Sequence, residues 1–81
     1  MSFDTYEAKK NFVNQTLSRC VAAMYPRVIR LEYQLHENDG AQEELVMIQC
    51  ADGYVRRVGV TGLDLRETTD AVLEEFRPEV A

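Results

Sequence analysis

Apolar residues recur along the first third of the chain at helical spacing. Val13, Leu17, Cys20, Val21 and Met24 follow i, i+4, i+7, i+8, i+11, one stripe of a helix predicted from Asp4 to about Met24. Tyr6 and Phe12 flank that stripe, while Asn11, Gln15 and Arg19 lie away from it. Asp4 and Glu7 have capping-box spacing at its start. Pro26 ends it, because proline has no N–H and biases Tyr25 away from helical geometry.

The period then changes to two. Ile29, Leu31, Tyr33 and Leu35 alternate with Arg30, Glu32, Gln34 and His36, a half-buried strand over 28–36 with Val28 starting on the wet side. A polar turn, Glu37 to Gln42, follows, and its Gly40 suits a positive φ. Glu44–Cys50 and Tyr54–Val60 are β-type runs around Ala51-Asp52-Gly53. A two-residue Asp52-Gly53 turn would place Leu45 and Met47 on one face with Val58 and Val60. A three-residue loop with Gly53 left-handed instead pairs Cys50 with Tyr54. It gathers Val46, Ile48, Cys50, Tyr54, Val58 and Val60 on one face, interrupted by Arg56. The second register is preferred because it collects the β-branched residues. Asp64 and Glu67 repeat the capping-box spacing, and Leu65, Thr69, Val72, Leu73 and Phe76 form the inward stripe of a second helix, with Pro78 beyond it.

Three sequential strands with short turns predict an antiparallel meander. Laying both helices over its apolar face gives an α+β fold, a two-layer αβββα sandwich, with residues 1–81 as a single domain. Leu45, Met47 and Val55 then point away from the helices with Gln49 and Arg57. An apolar centre in a polar rim is the layout of a protein-binding face.

Composition sharpens this picture only in places. Apolar residues at 46% and charged residues at 28% are ordinary for a globular domain. The net charge of -5 argues against direct nucleic-acid binding, which needs Lys and Arg to displace phosphate counterions. Residues 1–30 are net +3, whereas 31–63 and 64–81 are each net -4. Glu67, Asp70, Glu74 and Glu75 on the second helix form a candidate acidic surface. No apolar run approaches the ~20 residues of a membrane span. Two cysteines and no visible signal peptide imply a cytoplasmic chain with reduced thiols.

Candidate chemistry is sparse. His36 is expected at the surface and the two cysteines in the core, where facing one another would let them touch without a disulfide being expected. Cys20, Cys50 and His36 are too few and too scattered for a metal site. Glu43-Glu44 and Glu74-Glu75 are adjacent pairs whose side chains diverge, so solvated surface is expected rather than acid/base catalysis. Gly59 and Gly62 precede a helix, but no phosphate-loop pattern accompanies them and Asp64 would repel an anion. Arg56 and Arg57 fall on opposite faces of their strand. No enzyme activity and no cofactor are expected.

Val58-Gly-Val60-Thr-Gly62 ending a strand, with Leu63-Asp64-Leu65 opening a helix, gives Tyr54 to Phe76 a likeness. This stretch resembles the C-terminal halves of small, mostly uncharacterised proteins of prophages and mobile elements of gut Firmicutes. The resemblance implies a genomic neighbourhood and carries no site residues. The expectation is a non-enzymatic interaction module that binds protein, a second copy of itself included, as an accessory or host-interaction factor. The alternative is an acidic inhibitor that occupies a basic site on a nucleic-acid-handling protein.

Overall fold

A computed structural model describes residues 3–76, with side chains from Tyr6 onward. It shows the α+β fold: a three-stranded antiparallel sheet with both helical rods on one face. The first rod runs without a break through α1 (Phe3–Asn11), a π-helical stretch (Phe12–Leu17) and α2 (Ser18–Met24). Strands β1 (Val28–Asn38), β2 (Ala41–Cys50) and β3 (Val55–Gly59) follow, then helix α3 (Leu65–Glu74). The sheet order is β1-β2-β3.

The π stretch decides which side of the first rod is buried. Its wider turn, closed by the Ser18 N–H on the Val13 carbonyl, absorbs one extra residue. At the pitch of a regular α-helix, Lys9 and Val21 would sit about 120° apart; one absorbed residue brings them within about 20°. Lys9, Val13, Leu17 and Val21, spaced by fours, therefore share one buried face. The expected stripe is corrected accordingly: Cys20 and Met24 turn out to solvent, and Ser18 turns in. The rod ends where expected, with Tyr25 extended at φ -127° before Pro26. The Asp4 side chain, and with it the expected cap, and Pro78 lie outside what the structure describes.

A second irregularity corrects the start of β1. The pairing with β2 slips between Val28 and Arg30, so Ile29 is the extra residue of a β-bulge. Val28 is buried and Ile29 is 59% exposed, the reverse of plain alternation. Two backbone bonds fix this entry: the Val28 N–H donates to the Tyr25 carbonyl, and the Ala51 N–H to that of Arg27. Leu31 and Tyr33 face the core as expected, but Leu35 is exposed, because it borders an open concavity beside Tyr6, Glu7 and Lys10 of the first rod instead of packing into the core. That hairpin closes through Asp39 and Gly40, both at positive φ, the two-residue turn that suits strand twist.

The β2–β3 loop has the three-residue register: Cys50 donates to the Tyr54 carbonyl, and Gly53 sits at φ 86°. Val46, Ile48, Val58 and Val60 are buried on the face under the helices. Cys50 is only half-buried and Tyr54 is exposed, since both flank the β2–β3 loop at the end of the hairpin. Helix α3 begins with a full capping box: the Glu67 N–H donates to Asp64 Oδ1, and the Asp64 N–H to Glu67 Oε1. Its buried line is Thr68, Val72 and Phe76; Leu65 is exposed, and Thr69 and Leu73 are half-buried. Phe76 stacks on Tyr25 with ring centroids 4.4 Å apart, joining the ends of the two rods.

Thr68 is fully buried, and its hydroxyl has no hydrogen-bond partner among the described residues. Replacing a desolvated, unpaired hydroxyl by a methyl removes a penalty at nearly constant shape. Thr68→Val is therefore expected to raise stability by about 1 kcal/mol in urea unfolding, with an unchanged m-value.

Candidate functional site

The five residues of the expected binding face come together on the side of the sheet away from the helices. β2 supplies Leu45, Met47 and Gln49, each flanked by two cross-strand neighbours. The rows read Gln34–Leu45–Gly59, Glu32–Met47–Arg57 and Arg30–Gln49–Val55. The β2 residues are half-buried by these neighbours, while Val55 and Arg57 are exposed. Polar side chains of β1 are tied down along one rim: Arg30 Nε donates to Gln49 Oε1, and Gln34 Nε2 reaches Met47 Sδ at 3.7 Å. Along the opposite rim, Arg57 makes no ion pair among the described residues. Exposed His36 leans on Gln34 Oε1 at 3.1 Å.

The acidic surface holds together only in part. Glu67, Asp70 and Glu74 share the solvent face of α3, at i, i+3 and i+7. Glu67 already serves the capping box. Glu75 is half-buried at the helix end, where its carbonyl accepts from Arg56 Nη1 at 2.9 Å. Cys20 and Cys50 are both free thiols. No group of three His, Cys, Asp or Glu residues among the described residues could hold a metal ion, and no helix among them is long and apolar enough to cross a membrane.

One constellation departs from every expectation. Glu44, expected in solvent with Glu43, is 4% exposed and faces the helices. Its Oε1 accepts from Lys9 Nζ at 2.8 Å and from the Tyr33 hydroxyl at 2.7 Å; its Oε2 accepts from the Gly62 N–H at 2.9 Å. Lys9, itself 3% exposed, also donates to the Val60 carbonyl at 2.8 Å. The Glu44 N–H in turn donates to Thr61 Oγ1. Burial works to raise the Glu44 carboxyl, but the bonds from Lys9, Gly62 and Tyr33 outweigh it and hold the group below its ordinary value. Burial, and then the carboxylate it donates to, push the Tyr33 hydroxyl up, so it stays a donor. This knot ties the first rod, β1, β2 and the segment after β3 together, and its polar groups are spent on one another.

Shallow concavities among the described residues flank the core. One, of about 220 Å³, lies between Tyr6, Glu7, Lys10, Tyr33 and Leu35. Another, of about 90 Å³, lies at the opposite end between the Tyr25–Phe76 stack, Cys50, Tyr54 and Arg56. Both fall short of the ~300 Å³ at which small-molecule pockets begin. No family model matches the chain, and no curated protein or solved structure is detectably similar to it.

Proposed function

We propose that this chain is a non-enzymatic protein-binding module that works through the uncovered face of its sheet. One observation supports the reading most: both helical rods shield the same face, which leaves Leu45, Met47 and Val55, among the described residues, facing away from the helices beside neighbours of their own sheet. Apolar centres rimmed by polar side chains mark protein contacts. In a phage or mobile element, such a module would act in the cytoplasm as an accessory or host-interaction factor. The second reading, an acidic inhibitor of a nucleic-acid-handling protein, draws on the alignment of Glu67, Asp70 and Glu74 along α3.

Site-specific photo-crosslinking in the source cells separates the two. A photoreactive residue at Gln49 is expected to give a protein adduct that disappears when Met47→Lys is added. An adduct formed only from Asp70, and lost in 0.5 M salt, would favour the acidic reading, because screening removes contacts between exposed charges. No adduct from position 49 counts against the module.

A further inference from the structure

The two edges of the sheet are treated differently. Along β1, the backbone groups that point away from β2 are met by the first rod. Leu31 donates its N–H to Ser18 Oγ at 2.9 Å and Tyr33 to Asn14 Oδ1 at 2.7 Å. Side chains of a neighbouring helix thus blunt that edge. Along β3, the bonds from Cys50 to Tyr54 and from Val60 to Glu44 set the phase of the ladder. Antiparallel alternation then turns the N–H and C=O groups of Val55, Arg57 and Gly59 away from β2. All three residues are exposed, and none has a hydrogen-bond partner for these groups among the described residues. A Cβ built on Gly59 meets nothing within 4 Å, so the flank of Leu45 lies open beside it.

We infer that β3 receives an extended, acidic segment of a partner protein as a fourth strand. This rests on the protein-binding reading above and names the partner's chemistry. An edge of unpaired backbone groups selects an extended backbone, and alternate side chains of the incoming strand supply specificity. On the outer face its residues lie opposite Val55, Arg57 and Gly59. Val55 calls for an apolar neighbour, Arg57 for a carboxylate, and the gap over Gly59 for an apolar side chain reaching Leu45. The pattern is apolar-x-acidic-x-apolar, and it reads the same for parallel and antiparallel entry. A second copy of the chain suits the edge poorly. Two β3 strands paired about their middle residue set Arg57 against Arg57, and each copy carries a charge of -5.

The test is selection of a displayed library of random twelve-residue peptides on the full chain, followed by binding of the recovered peptides to variants. Recovered peptides are expected to carry the apolar-x-acidic-x-apolar pattern without an internal proline. Arg57→Glu is expected to weaken them at least tenfold. Arg57→Pro, which deletes an outward N–H without touching the ladder to β2, should abolish binding while circular dichroism stays native; Arg57→Glu keeps the test decisive if that variant unfolds. Peptides that ignore Arg57→Glu yet are lost on Met47→Lys would overturn strand addition and leave the face reading standing. Peptides that ignore both, or no recovered peptide, would overturn strand addition; the former also counts against the face. Protection of the Val55, Arg57 and Gly59 amides that grows with protein concentration alone would assign the edge to a second copy and overturn the acidic partner.

Discussion

Lys9→Met is expected to cost roughly 3–5 kcal/mol of folding stability, the usual penalty for removing one partner of a buried ion pair. Methionine keeps most of the lysine stem but leaves Glu44 ionised, 4% exposed and short of its counter-ion. Folding stability for a chain of this length is roughly 4–12 kcal/mol in total, so this variant stands near the edge of folding. Urea unfolding followed by circular dichroism reads the loss directly. The pH dependence carries a sign that simple cavity formation would not. Because the folded state holds the Glu44 carboxyl below its ordinary value of 4.5, the wild-type contribution is present above that unfolded value. It is lost as the pH falls through the folded value. The deficit of the variant should therefore be largest near neutrality and shrink as the pH is lowered and Glu44 takes up a proton. A deficit constant from pH 7 to pH 3 would show that the charge on Lys9 is irrelevant and that only its stem packs.

The second large effect is a contrast between two isoleucines. Ile48→Ala is expected to cost about 2–5 kcal/mol, because Ile48 is fully buried at the centre of the sheet and its neighbours cannot close the void. Ile29→Ala should stay within about 0.5 kcal/mol, since the bulge turns that side chain out and leaves it 59% exposed. Plain alternation along β1 predicts a large cost for both. Equal losses in urea unfolding would mean that the bulge at Ile29 is absent.

Where local chemistry is specific, the fold is legible from the residues alone. Gly53 and the β-branched residues around it determine the hairpin register, Asp64 and Glu67 mark the start of α3, and Pro26 marks the end of the first rod. The same register brings Leu45, Met47, Gln49, Val55 and Arg57 to one face. The misses in the first rod and β1 share a physical cause: an inserted residue shifts the phase of the residues on one side of it relative to those on the other, without leaving a compositional trace. The π stretch moves Cys20 and Met24 outward, and the bulge exchanges Val28 and Ile29. Glu44 was concealed differently. Its parity with Val46 and Ile48 points inward, but a carboxylate is assumed to be solvated unless a partner is in view. Lys9, four residues before Val13 and eight before Leu17, was the available signal, as was a core-facing Tyr33 whose hydroxyl needs an acceptor. The open edge of β3 follows from ladder phase, which only the assembled sheet supplies.

Residue-resolved amide hydrogen exchange of the dilute chain tests the central claim, an uncovered sheet face ending in an unpaired edge. Along β3, the amides of Arg56 and Val58, which bond to β2, should exchange slowly, as should that of Val60 just beyond it. Those of Val55, Arg57 and Gly59 should exchange orders of magnitude faster. Uniformly slow exchange from Val55 to Val60 would mean that the edge is already paired, and would contradict both the open edge and the partner strand proposed to fill it.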